Sequence, residues 1–189
     1  MWFLKRLFKP KKNKFKYFKR QFKKIQHVKG DIVECGVAEG RSLKIFGELA
    51  GEERRIWGFD SFQGFPEPSK YDTGIKAVKG YFTAPIARVQ QLCPTAHLVP
   101  GYFNDTLKTY QGQVALLHLD VDLYDSYKVC LETLYPKVAT GGVILFDEYA
   151  EPTDLKNWPG AKKAIDEFLG ENKKYLERDK FGKWFYVKR

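Results

Sequence analysis

Four acidic residues close two apolar runs: Asp120 and Asp122 in LLHLDVDLYDS, and Asp147 and Glu148 in GGVILFDEY. Fold stability alone does not ask for charge at the ends of buried segments, because burying a carboxylate is costly. In an open α/β sheet, ligands bind at the carboxyl ends of the strands. Clustered carboxylates at two such ends make a cradle for a hard divalent cation with oxygen ligands. A cation there can bind a hydroxyl, lower its pKa and fix its direction, while a nearby carboxylate takes the proton. Asp122 is the candidate base. It lies two residues past Asp120, and on a continuing strand both face the same side. The alternative for Asp122 is a cap of the following helix. His118 alternates with Asp120 and is expected to be a hydrogen-bonded core histidine.

A second constellation is Glu34-Cys-Gly36-Val-Ala-Glu-Gly40. Gly36 and Gly40 allow backbone to approach a ligand where a side chain would obstruct it, although a strand-to-helix turn often needs glycine in any case. The spacing is wrong for the dinucleotide fingerprint. An acid two residues before the first glycine, and a second glycine four further on, suit S-adenosylmethionine, whose sulfonium is cationic. Asp60 ends the next apolar run, where its carboxylate can accept hydrogen bonds from two ribose hydroxyls. Tyr102 and Phe103 either flank an adenine or pack. Tyr124 and Asp125 either cap a helix or touch substrate.

These residues need strands and helices to place them. DIVECGV, RRIWGFD, AHLVPGYF, VALLHLDV and GGVILFDEY read as strands. RSLKIFGELA, TAPIARVQQL, SYKVCLETLYPKV and PGAKKAIDEFLGEN read as helices between and after them. The alternation implies a mainly parallel sheet covered by helices on both faces. KYLERDKFGKWFYVKR reads as a closing antiparallel hairpin, making seven strands. Residues 63–81, rich in Gly, Pro and polar residues, form a lid candidate.

The net charge of +10 divides unevenly: residues 1–29 hold twelve Lys or Arg and no acid, whereas residues 30–189 hold 21 basic and 23 acidic residues. The expected organisation is a basic aromatic arm, 1–29, and a catalytic domain, 30–189. In the arm, Phe15, Phe18, Phe22 and Ile25 recur at helical spacing with lysines between them. Pro10 separates that stretch from the cluster Trp2–Phe8. Such an arm docks on the domain or a partner subunit, lies on an anionic membrane, or binds nucleic acid. The near-neutral body argues against nucleic acid. No uninterrupted apolar stretch follows the charges, so no signal peptide is expected. Cys35, Cys93 and Cys130 are too far apart for a zinc site or a disulfide framework, which favours reduced thiols and the cytoplasm.

GDIVECGVAEGRS, FDSFQGFPEP, PGYFNDTL, LHLDVDLYDS, LETLYPKVATGGVILFDEY and WPGAKKAIDEF occur in that order. Over about Gly30 to Phe168 the chain thereby resembles the macrocin O-methyltransferase family. The resemblance implies a Rossmann-like class I methyltransferase that uses S-adenosylmethionine and Mg²⁺, or another divalent cation, to methylate hydroxyls of sugars or glycosylated small molecules. It implies that Glu34, Gly36 and Ser42 line the methionine side of the cofactor, with Asp60 and Ser61 at the ribose. Asp120, Asp147 and Glu148 would hold the metal. The family usually reads Asp-Asp where this chain reads Asp147-Glu148, and the added methylene shifts a ligand that Mg²⁺ holds in a strict octahedron. The basic arm stands where longer members carry an N-terminal region that shapes the substrate pocket. Two other readings compete: a non-catalytic or surface-tethered cofactor-binding module, and an RNA methyltransferase using the arm as its handle. Exchange of the aromatic arm between copies would make a homo-oligomer.

Overall fold

The computed structural model describes residues 12–189; Pro10 and the Trp2–Phe8 cluster lie outside them. Seven strands form one sheet: β1 (Asp31–Cys35), β2 (Ile56–Asp60), β3 (Ala96–Pro100), β4 (Val114–Leu119), β5 (Val138–Phe146), β6 (Glu177–Arg178) and β7 (Trp184–Val187). Their order is β3-β2-β1-β4-β5-β7-β6. The first five are parallel, and β7 and β6 close the sheet antiparallel beyond β5. The switch point therefore lies between β1 and β4, where a doubly wound sheet opens a crevice at its carboxyl edge.

The central strands are buried on both faces, so they read as near-continuous apolar runs. Alternate residues serve the two faces. Val33, Cys35, Leu117, Leu119, Ile144 and Phe146 pack beneath α5 (Tyr124–Leu134) and α7 (Pro159–Leu169). Ile32, Leu116, Val143 and Leu145 pack on the opposite face with α2 (Arg41–Ala50) and α3 (Ile86–Leu92).

That second face is completed by α1 (Lys12–Lys24), the described part of the arm. Phe18 and Ile25 are fully buried, and the Phe18 ring packs 4.5 Å from Phe46 and 5.2 Å from His118, centroid to centroid. The aromatic stripe, at spacings of three and four residues, thus faces the sheet, and Lys16, Lys19 and Lys23 face solvent.

β1 stops at Cys35, where the expected turn falls on Gly36 at φ +84°. Two local features depart from the expected pattern. β4 stops at Leu119, before Asp120 and Asp122. Two short helices, α4 (Phe103–Thr106) and α6 (Pro152–Asn157), interrupt stretches read as strand end and loop.

Candidate functional site

A cleft of about 850 Å³ opens at the carboxyl edge of β1, β2, β4 and β5. Gly36, Ser42, Asp60 and Ser61 line one side, and Asp120, Asp122, Asp147 and Glu148 the other. Two expected cofactor residues stay outside it. Glu34 points to the opposite face, under α1 and α2, because it alternates with Val33 and Cys35. Gly40 begins α2, and a Cβ there would stand 2.9 Å from Val89 Cγ1. Its glycine serves a left-handed turn (φ +77°) and packing on α3, rather than ligand approach.

Gly36 has the stricter requirement. A Cβ on it would lie 1.8 Å from the Asp120 carbonyl oxygen, so the turn after β1 and the end of β4 meet at backbone distance. The parallel ladder also continues past the strands: Gly36 N–H donates to Phe59 O, Asp120 N–H to Cys35 O and Asp147 N–H to Leu119 O, at 2.9–3.0 Å. Asp60 then fixes the turn. Its Oδ2 accepts the Val37 and Ala38 amides at 2.8 Å each, and its Oδ1 accepts the Phe62 amide at 2.7 Å. Ser61 Oγ donates to Gly64 O at 2.7 Å, which ties the start of residues 63–81 to β2.

On the other side, the chain leaves the sheet after Leu119, and Leu123 N–H returns to the Val121 carbonyl. This closes a tight turn about Asp122, whose φ is +58°. Asp122 therefore reaches the cleft through a left-handed backbone, not along a continuing strand. It nonetheless joins Asp120 and Glu148 in a group whose ligand atoms all lie within 4.8 Å of one another. Asp120 also forms such a group with Asp147 and His118. Asp147 and Glu148, expected to share an ion, fall in different groups because successive residues leaving an extended strand point to opposite sides. The first group offers only carboxylate oxygens, a donor set that suits a hard divalent cation.

The surroundings of these carboxylates set their charge. Burial, then the neighbouring acids, push Asp120, Asp122 and Glu148 upward, the last two strongly. Tyr127, itself buried, places its hydroxyl 2.7 Å from Glu148 Oε2 and 3.0 Å from Leu119 O. The Tyr127 O–H faces both acceptors, and its bond to Glu148 works against the upward push on that carboxyl. Burial works against Asp147 as well, but Lys14, His118 and Lys183 outweigh it and hold this carboxyl well below its usual range.

Lys183 Nζ lies 3.0 Å from Asp147 Oδ2 and donates to the Asp147 carbonyl at 2.6 Å. Lys14 Nζ lies 3.6 Å from both Asp120 Oδ2 and Asp147 Oδ1. His118, 1% exposed, binds Glu34 Oε1 through Nδ1 at 2.8 Å. Its Nε2 stands 3.9 Å from Asp147 Oδ1, an electrostatic contact rather than a hydrogen bond. Burial would lower the imidazole pKa, but Asp147 and Glu34 prevail and raise it to about 9. His118 is thus the expected buried core histidine, and it also adds positive charge beside Asp147. The second Glu34 oxygen is buried with no hydrogen-bond partner among the described residues.

Residues 63–81 cross the mouth. Asp72 pins them: its Oδ1 accepts the Tyr124 amide at the start of α5, and its Oδ2 accepts the Ser69 amide and hydroxyl. Phe65 stacks edge-on against Trp158, and Lys76, Tyr81 and Phe82 reach the cleft. Ile75, at 87% exposed, and Val78 project outward. Tyr102, Phe103 and Asp125 also line the cleft, while the Tyr124 hydroxyl is engaged by Glu167. Neither Lys14, Lys183 nor Asp72 stands out in the sequence, because each acts on a residue remote in the chain.

This sheet order, with its glycine turn after β1 and the carboxylate that ends β2, defines the Rossmann-like class I methyltransferase fold. The CalS11 calicheamicin methyltransferase superposes with a TM-score of 0.81 over 92% of this chain and 77% of that one, at 28% identity. The O-methyltransferase NovP shares the fold at a TM-score of 0.78 and 24% identity, over 93% of this chain and 79% of that one. The chain belongs to the macrocin-O-methyltransferase (TylF) family, whose model matches residues 12–178.

Two sequence relatives are the demethyldecarbamoylnovobiocin O-methyltransferase of Streptomyces niveus and an 8-demethyl-8-(2,3-dimethoxy-alpha-L-rhamnosyl)-tetracenomycin-C 4'-O-methyltransferase of Streptomyces olivaceus. The first is 32% identical over 160 residues, 75% of this chain and 59% of that one. The second is 33% identical over 144 residues, 65% of this chain and 54% of that one. The chain thus spans little more than half the length of these relatives. No helix among the described residues is long and apolar enough to cross a membrane.

Proposed function

We propose that the chain is an S-adenosylmethionine-dependent O-methyltransferase that methylates a hydroxyl of a sugar or glycosylated small molecule with the help of a divalent cation. The observation that carries this reading is the shared cleft, in which the Gly36 turn and Asp60 face Asp120, Asp122, Asp147 and Glu148. Family membership supports the reaction, and the two sequence relatives, named for rhamnosyl-tetracenomycin and novobiocin chemistry, support the acceptor class. Residues 30–189 would form the catalytic domain and residues 1–29 an accessory arm.

The cofactor fits the Gly36 side. Gly36 and Ser42 line that wall of the cleft, and Asp60 and Ser61 lie at the next strand end where ribose hydroxyls would sit. When bound, the cofactor supplies an electrophilic methyl group. Asp120 and Glu148 would hold the cation, with Asp147 beside Asp120 adding negative charge; the cation would polarise the acceptor oxygen. Asp122, whose carboxyl is pushed up by burial and by Asp120, is suited to receive the acceptor proton. The aromatic rim of Phe65, Tyr81, Phe82 and Trp158 would exclude water and take the apolar part of the acceptor.

Calorimetry with S-adenosylhomocysteine, followed by radiolabelled methyl transfer to a panel of glycosylated acceptors with and without a chelator, tests this. The expected result is binding that Asp60→Ala weakens at least tenfold, and transfer that the chelator abolishes. Transfer that persists in chelator removes the cation from the reading. Binding without transfer to any acceptor leaves a cofactor-binding module.

A further inference from the structure

The acidic cluster has a cation of the protein's own beside it. Lys14 lies four residues before Phe18, so the two share one face of α1. Phe18 and Ile25, both fully buried, anchor that face to the sheet, and the lysine stem runs over the Phe18 ring with Nζ 5.7 Å from its centroid. Its ammonium ends 3.6 Å from Asp120 Oδ2 and 3.6 Å from Asp147 Oδ1, with the side chain 33% exposed. Lys16, Lys19 and Lys23 point instead to solvent, and Lys24 lies over the Phe185 ring.

At 3.6 Å neither contact is a hydrogen bond, so the ammonium is held by the field of two carboxylates rather than by fixed directional bonds. Lysine is a point charge on a flexible stem, and it can withdraw without moving the helix. Lys183 differs. Its 3.0 Å contact with Asp147 Oδ2 and its bond to the Asp147 carbonyl fix it to the far oxygen.

We infer that Lys14 is a resident cation of the cluster, balancing Asp120 and Asp147 until a divalent ion enters and displaces its ammonium. This rests on the reading that the cluster takes such an ion. It gives α1 a role inside the site: the arm sets how tightly the metal is held. Because coupling between two bound cations is reciprocal, metal binding must in turn free the Lys14 ammonium.

The test uses the full chain and Mn²⁺, with free ion followed by electron paramagnetic resonance, for wild type, Lys14→Gln and Lys14→Arg. Lys14→Gln is expected to bind Mn²⁺ at least tenfold more tightly than wild type, and Lys14→Arg, which keeps the charge, to stay within threefold of it. In wild type, acetylation of Lys14 read by peptide mass spectrometry is expected to speed up at least fivefold at saturating Mn²⁺; this measurement needs no variant. Equal Mn²⁺ affinity in wild type and Lys14→Gln, or unchanged labelling, overturns the inference and leaves the proposed function standing. Absence of Mn²⁺ binding from every variant overturns the metal reading, and the inference with it.

Discussion

On the β1–β2 side of the cleft, the polar groups are mostly backbone. Asp60 receives three amide N–H bonds from the turns it faces, and Gly36 sits against the Asp120 carbonyl with no room for a methyl group. On the β4–β5 side they are side-chain charges: four carboxylates among two ammonium groups, an imidazole and a phenol. The first side is fixed by covalent geometry and hydrogen bonds before any ligand arrives. The second is a balance of charges that a proton or a cation can tip. Preorganisation suits the side proposed to bind the cofactor, and adjustable charge suits the side where a proton is proposed to move.

The sharpest way to break this contrast is Gly36→Ala. With φ at +84° and a Cβ 1.8 Å from a carbonyl oxygen, the variant is expected to lose roughly 4 kcal/mol or more, or to fail to fold, as read by urea denaturation. No charge substitution on the other side should cost as much.

The charged side should show instead as a dependence on pH. His118 is raised from an ordinary 6.5 to about 9, so its stabilising contribution is complete below pH 6.5 and is lost as pH rises through 9. Without added metal, stability should fall by about 2–3 kcal/mol between pH 6.5 and 10, an upper bound for a single group. Thermal melts of wild type and His118→Gln check this: the slope should flatten in the variant.

A smaller effect on stability is expected from Asp120→Asn. Burial and the neighbouring Asp147 already disfavour the Asp120 carboxylate, while Lys14 favours it. The two influences oppose, and the change should stay within about 1 kcal/mol. Mn²⁺ affinity should nonetheless drop at least tenfold, which calorimetry would report. Smallest of all, Ile75→Ser at the outward face of residues 63–81 should change stability by no more than about 0.5 kcal/mol. A larger loss in chemical denaturation would mean that this segment is not the loosely held edge its 87% exposure implies.

Much of this was legible in the chain. The five apolar runs and the closing hairpin specify the sheet, and β1, β4 and the second half of β5, covered on both faces, read as unbroken apolar segments. The arm's aromatic spacing specifies a helical face, and the structure adds that this face docks on the sheet. Asp60, Asp120 and Asp147 declare themselves as charges that terminate such runs. What escaped the sequence is what depends on backbone direction or on remote partners. Nothing local announces that Asp122 adopts φ +58°, or that Asp147 and Glu148 diverge. Glu34 looks like a cofactor residue by its place before the glycine, yet strand alternation turns it toward His118. Lys14 is one of many arm lysines, and only the docking of Phe18 distinguishes it. The helices α4 and α6 are four and six residues long, too short for a 3.6-residue period to register.

The two ammonium groups at Asp147 come from distant parts of the chain, one at position 14 and one at position 183. During translation the first is made well before Asp147 and the second 36 residues after it. At about 5–20 residues per second, that interval is roughly 2–7 s. Throughout it the newly made β5 has neither β7 beside it nor Lys183 at its end, and the Asp147 carboxylate stands with part of its counter-charge missing. The acidic cluster is therefore completed late, and a ribosome-bound intermediate should hold its five parallel strands before Asp147 has its full counter-charge.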